Sequence, residues 1–256
     1  MSVFNKVLAS IGIGSAHVDT KLERERFRPG DLVTGSVEII GGSVPQKIDE
    51  IYLSVHTTYV KEYDGKKLTQ IATIHKIRIN EPFEVAPTEK KEIPFTFNLP
   101  YETPVTSGKT KVWISTGLDI KNAVDPKDED FIRIEPNELI QSTFSALEAL
   151  GFQLRNADCE EAPYRFRKRM PFIQEFEFIP KTGAYKGKLD ELEIAFFLKN
   201  REEAEVLIEV DRKAKGIAGL FAETLDMDET KVRGFISASE IPVLKEKLNG
   251  IISRYV

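Results

Sequence analysis

The segment Tyr164-Arg-Phe-Arg-Lys-Arg-Met170 carries the densest set of functional groups in this chain of 256 residues. On an extended backbone Arg165, Arg167 and Arg169 project from one face, and Tyr164, Phe166 and Lys168 from the other. Three guanidinium forks in line suit bidentate capture of carboxylate or phosphate, so the row offers a seat for an acidic or phosphorylated partner segment, or for a lipid headgroup. A charged sheet face balanced by neighbouring Glu and Asp is the plainer alternative, because exposed arginines usually just solvate.

The remaining reactive side chains are scattered. His17, His56 and His75 have no second histidine at ligand spacing. His56 and His75 flank the turn Asp64-Gly65 and are expected to neighbour each other across a hairpin, as a polar cross-strand pair or as a weak metal- or pH-sensing one. Cys159 lies between Asn156-Ala-Asp158 and Glu160-Glu161, whereas a reactive thiolate needs positive charge nearby. Gly12-Ile-Gly14 lacks the lysine and the further glycine of a phosphate loop. Asp125, Asp128 and Asp130 lack the central glycine and closing glutamate of a calcium loop, and read as a solvated linker. No hydrolase elbow or His-Glu-x-x-His helix occurs. The expectation is a chain with no catalytic residue, no metal, no cofactor and no small-molecule substrate: not an enzyme.

The elements that would carry these groups are mostly strands. Leu32, Thr34, Ser36 and Glu38 alternate with Val33, Gly35, Val37 and Ile39 after a Pro29-Gly30-Asp31 turn, and Ile51 to Val60 repeats the two-residue period. Strands are expected near 17–28, 32–40, 48–60, 68–80, 91–98 and 110–119, with Asp64-Gly65 as the hairpin turn. The polar break Asp125–Asp130 follows, and Ile132-Arg-Ile134 closes the first half. Leu139, Ile140, Phe144, Leu147 and Leu150 then share one helical face, stopped by Gly151, as a linking helix. A second series is expected near 152–159, 163–169, 173–179, 188–198, 205–211 and 232–237. A final helix over about 239–254 is expected to open at Ser239-Glu240, with Pro242 in its first turn.

At the other end Val3, Phe4, Val7, Leu8 and Ile11 recur at helical spacing before Gly12 and Gly14. This stripe is too short to stand alone in water, so it must be buried on its own sheet, on a second copy, or on a partner. Together with Arg165, Arg167 and Arg169 it supplies the candidate partner-binding residues.

Composition narrows the partners. Hydrophobic content of 41% and charged content of 30% suit a globular chain long enough for two domains. Residues 1–135 hold 18 basic and 20 acidic side chains, leaving 18 and 21 for the rest of a net charge of −5. Neither half is basic, which disfavours binding nucleic acid through its phosphates. One cysteine excludes an internal disulfide. Without a charged-then-apolar leader or a bilayer-length apolar run, the expected location is the cytoplasm.

The Pro-Gly-Asp strand, preceded by Val18-Asp-Thr-Lys-Leu22 and followed by Ile48-Asp-Glu-Ile-Tyr-Leu-Ser-Val55, resembles the opening of an arrestin-type sandwich. The block Phe4 to Thr20, with Lys215-Gly-Ile-Ala-Gly-Leu-Phe221 and Asp226-Met-Asp-Glu-Thr230, resembles the bacterial sporulation-control proteins of the stage-zero class lettered M. That resemblance covers essentially the whole chain. It implies a mainly β protein of two arrestin-like antiparallel β-sandwich domains, 1–135 and 136–256, with a few short peripheral helices. It also implies a non-enzymatic regulator of early sporulation, expected to work by binding protein partners, with self-association through the apolar stripe as one form of that binding. The alternative is an adaptor at the membrane surface, lying there through the Ser2–Ile13 segment. A single Lys on that segment is thin support for membrane contact.

Overall fold

The computed structural model describes residues 15–120, 126–164, 170–211 and 231–255. The chain is mainly β, as expected. Its first strands are β1 (His17–Leu22), β2 (Arg26–Phe27), β3 (Leu32–Ile40), β4 (Gln46–Tyr63), β5 (Lys66–Arg78), β6 (Phe83–Val85), β7 (Lys90–Asn98), β8 (Val112–Ile120) and β9 (Lys127–Ile134). β1, β3 and β7 form one antiparallel sheet. β4 forms the spine of the other, with β5 and β6 on one edge and β8, β9 and β2 on the opposite side.

Alternation decides which face is buried. Val33, Val37 and Ile39 on β3 and Phe95 and Phe97 on β7 meet Ile51, Leu53, Val55, Ile114 and Leu118 from the second sheet in one core. Each such side chain contributes roughly 1.5–3 kcal/mol when fully removed from water. The Pro-Gly-Asp turn is pinned at both ends. Gly30 N donates to Leu99 O (2.9 Å), and Arg28 N donates to the Asp31 carboxylate (3.0 Å). Asp64 and Gly65 have φ of 52° and 69°, the pair of positive values a two-residue hairpin needs, and Tyr63 lies opposite Lys66.

Lys127–Ile134 corrects the expected linker at Asp125–Asp130: it is strand β9, paired with β8 from Gly117 to Val112. Asp128 and Asp130 alternate with Lys127, Glu129 and Phe131 and occupy the face of Ile132 and Ile134, so two carboxylates stand where apolar side chains would mark a strand. Thr20 N donates to Asp128 Oδ2 at 2.7 Å, and Thr20 and Thr116 share a 2.5 Å hydroxyl contact. Burial, then the nearby carboxylates Asp128, Asp19 and Glu25, pushes the Asp130 carboxyl up to about 6.

A raised acid favours folding while it is protonated. The contribution of Asp130 is fully present below about pH 4 and lost as pH rises through about 6. With the side chain only partly buried, solvent screening limits the effect to about 1 kcal/mol. Asp130→Asn is therefore expected to raise the melting temperature by roughly 2–4 °C at pH 8. The gain should vanish by about pH 4.5, and an equal gain at both pH values would remove Asp130 as its source.

The second half begins with helix α1 (Glu138–Ala149), whose first turn is capped by Asn137 Oδ1 accepting from Ile140 N at 3.0 Å. Strands β10 (Phe152–Glu161), β11 (Phe172–Pro180), β12 (Glu191–Leu198), β13 (Glu203–Asp211) and β14 (Lys231–Ser237) follow, each antiparallel to the next. Of the strand expected over 163–169, residues 165–169 lie outside the described residues, and β10 ends at Glu161. Helix α2 (Leu244–Ile252) packs beside α1, and Leu139, Leu147, Leu244, Leu248 and Ile252 cover Phe176, Phe178, Ile194, Val206 and Ile208 on the sheet.

The end of the chain departs from the expected start at Ser239-Glu240. Ser237 caps instead, in a capping box with Glu240, and Ala238–Val243 is a 3-10 turn that takes Pro242. Both cores draw on both halves: Cys159 and Phe172 join the first, and Val105 joins the second.

Candidate partner-binding site

The eight candidate residues from the sequence, Val3, Phe4, Val7, Leu8, Ile11, Arg165, Arg167 and Arg169, all lie outside the described residues. Tyr164, at the edge of the arginine row, is 86% exposed. The other chemical candidates can be placed. His56 and His75 do not meet. A bulge at Val55/His56 sets His75 opposite Val55, on the core face near the Phe97 ring, and sets His56 opposite Thr73 on the outer face. Cys159 is buried, and burial pushes its thiol up to about 12, so it stays protonated and unreactive at neutral pH. Among the described residues no group of three or more His, Cys, Asp or Glu side chains is placed to hold a metal ion.

Sequence reasoning missed an aromatic ladder on the outer face of the β4 sheet. His56, Trp113 and Phe131 sit directly opposite one another on β4, β8 and β9. The His56 and Trp113 ring centroids are 5.4 Å apart, and those of Trp113 and Phe131 5.8 Å. Burial holds the His56 imidazole below the usual histidine range. Phe131 is exposed, as is Ile71 on the same face. The signal was available only through β9, whose acidic residues hid the strand.

The seam between the halves was missed as well. β4 outruns β8, which leaves it at Thr57, and β10 takes over in a parallel bridge between Val60 and Glu160. Lys61 and Glu161 pair there at 2.9 Å. Gln174 on β11 grips the Val105 peptide twice, accepting from its N–H (2.8 Å) and donating to its carbonyl (2.7 Å). Arg201 donates to Gly30 O (3.1 Å) and to Asp31 (3.3 Å), tying the β12–β13 turn to the Pro-Gly-Asp turn. The two Gln174 bonds are each worth about 1 kcal/mol, the exposed ion pair less.

The face of the second sheet turned away from α1 and α2 is acidic. Glu177, Glu193 and Glu209 lie directly opposite one another on three adjacent strands, where like charges repel. Glu175 and Glu205 are on the same face. Arg155 reaches Glu177 and Glu191, and Arg233 reaches Glu205.

Three similarities bear on what such a molecule does. Residues 4–214 match the family described as SpoOM protein. The sporulation-control protein spo0M of Bacillus subtilis (strain 168) is 43% identical over 258 residues, covering 100% of this chain and 99% of that protein. The crystal structure of Spo0M, sporulation control protein, from Bacillus subtilis superposes with a TM-score of 0.89 at 42% identity, covering 95% of this chain and 100% of that one.

Proposed function

The chain belongs to the SpoOM protein family, and from that premise we propose that it regulates sporulation in the cytoplasm by binding protein partners, without catalysing a reaction. The observation that carries this proposal is the likeness, end to end in sequence and nearly so in structure, to a protein named for sporulation control. The chemistry of the placed side chains agrees with it. The single thiol is buried and protonated, His56 and His75 stand apart on opposite sheet faces, and Phe131 and Ile71 expose apolar side chains on one face of the β4 sheet, the kind of surface on which proteins dock. Among the described residues no helix is long and apolar enough to cross a membrane.

Expression in a Bacillus subtilis strain lacking its own sporulation-control protein tests the proposal. Restored spore counts are expected, and unchanged counts despite normal protein accumulation would sink it. The apolar stripe Val3, Phe4, Val7, Leu8 and Ile11 is the docking element in this view. A chain lacking residues 1–13 should keep a strand-rich circular dichroism spectrum and lose self-association or partner capture. Unfolding of the truncated chain would make the stripe ordinary core, and full retention of partners would make it a dispensable cover. Flotation of the intact protein with anionic liposomes would favour a membrane-surface adaptor instead.

A further inference from the structure

The outer face of the β4 sheet carries a charge pattern that is complementary to itself. Along β9 the side chains of Lys127, Glu129, Phe131 and Arg133 point outward and are exposed, and Glu135 continues the row just past the strand. The signs run plus, minus, apolar, plus, minus. Reversing the strand about Phe131 therefore sets every charge against its opposite. Among the described residues no ion pair within the chain engages Lys127, Glu129 or Arg133. Arg133 lies directly opposite Arg26 on β2, where like charges repel, and Arg26 pairs with Glu135 at 3.5 Å.

The apolar centre of this pattern belongs to a wider surface. Phe131 ends the row His56, Trp113, Phe131, which crosses the sheet at right angles to its strands. Phe131 is 60% exposed, and Ile71, at the far side of the same face, 65%. Beside Lys127 and Glu129 the neighbouring strand β8 carries only Gly117 and Ser115, and a Cβ on Gly117 would meet nothing within 4 Å. The long side chains of β9 thus stand clear of the sheet.

We propose that this face seats a second copy of the chain, in a two-fold dimer whose axis runs along the row His56, Trp113, Phe131. A two-fold axis lying between facing sheets and across their strands sets each strand over its own copy with the direction reversed. Phe131 then meets the partner's Phe131, Glu129 meets the partner's Arg133, and Lys127 meets the partner's Glu135, each charge contact occurring twice. Facing sheets stand about 10 Å apart, a gap that Glu and Arg side chains bridge together. An apolar centre rimmed by charge is the usual anatomy of a protein interface. The reversal symmetry of the charges selects a copy of the chain over a foreign protein, which would have no need of it. This inference goes beyond the regulatory role proposed above and stands apart from it, since failure of the dimer would leave the spore-count test untouched.

Sedimentation equilibrium of the purified full chain tests the assignment. A small interface of this kind predicts a weak dimer, with a Kd of roughly 1–50 µM. Glu129→Arg and Arg133→Glu should each weaken it by about tenfold or more, because each turns two opposite-charge contacts into like-charge ones. The double variant, Glu129→Arg with Arg133→Glu, should recover the dimer. An equimolar mixture of the two single variants should form a heterodimer, since one then carries two cations where the other carries two anions. Phe131→Ser should weaken the dimer by about tenfold without lowering the melting temperature, as the ring is exposed. A chain that stays monomeric up to about 200 µM, far above the expected Kd, would overturn the proposal and leave the face to a partner of another kind. A dimer indifferent to Phe131→Ser or to either single reversal, or a mixture of the single variants that stays monomeric, would overturn it as well.

Discussion

Gly151→Ala is expected to lower the stability of the protein by roughly 3–4 kcal/mol, and the melting temperature by about 10 °C. Gly151 follows Leu150, the C-cap of α1, with φ of +94°, a conformation that costs an L side chain about 1 kcal/mol or more. Space is the larger problem. A Cβ there would sit 2.2 Å from the carbonyl oxygen of Thr182, and backbone cannot rotate aside as a side chain can. The approach is built in, because Lys181 N and Thr182 N both donate to Gly151 O, at 2.9 and 3.1 Å. Those bonds clamp the end of α1 to the turn after β11 and aim β10 at its bridge with β4.

Two other glycines calibrate the effect. Gly65 has φ of +69° with nothing within 4 Å of its Cβ position, so Gly65→Ala should cost only about 1 kcal/mol. Gly250 lies inside α2 with open space around it, and Gly250→Ala should stabilise by about 0.5–1 kcal/mol. Thermal melts of the three variants separate backbone strain from crowding. A Gly151→Ala melt no lower than that of Gly65→Ala would show that the clamp yields at no cost.

Much of the fold could be read from local pattern because local pattern creates it. The alternation in Leu32–Ile40, the positive-φ pair Asp64-Gly65 and the helix stop at Gly151 each act within a few residues, and each is where the sequence places it. The failures have one kind of cause. β9 was hidden because Asp128 and Asp130 occupy its core face, and the group that accommodates Asp128, Thr20 N, is 108 residues away. The two histidines were expected to meet because an unbroken ladder was assumed. One extra residue at the Val55/His56 bulge moves everything beyond it to the other face. The seam was invisible for the same reason: Gln174 and Val105 have no distinguishing neighbours, and only the folded chain sets them 2.7 Å apart. The candidate residues rest on a stripe and a row, patterns that sequence carries in full, whereas the aromatic ladder exists only where β4, β8 and β9 align.

Replacing Arg165, Arg167 and Arg169 together by Gln is expected to weaken partner capture by about tenfold or more while leaving the melting temperature within about 2 °C. Capture by the unaltered protein should fall as salt is added, since exposed charge contacts are screened over about 8–10 Å at physiological ionic strength. Replacement by three lysines keeps the charge and removes the forks, so capture should recover only in part if the partner's carboxylates or phosphates are gripped bidentately. The competing role for the row is inside the molecule. The second sheet presents Glu175, Glu177, Glu193, Glu205 and Glu209 on one face, a concentration of negative charge that folding must balance, and Arg155 and Arg233 are the cations already placed against it. Removing a countercharge from a buried carboxylate costs about 3–5 kcal/mol, far more than removing a surface arginine. Arginines that balance this face would therefore reveal themselves in the glutamine variant as a fall of roughly 6 °C or more, with any loss of capture following from unfolding. Melting temperature measured beside capture thus assigns the row: capture lost with stability kept makes it a docking site, and stability lost makes it the complement of the acidic sheet.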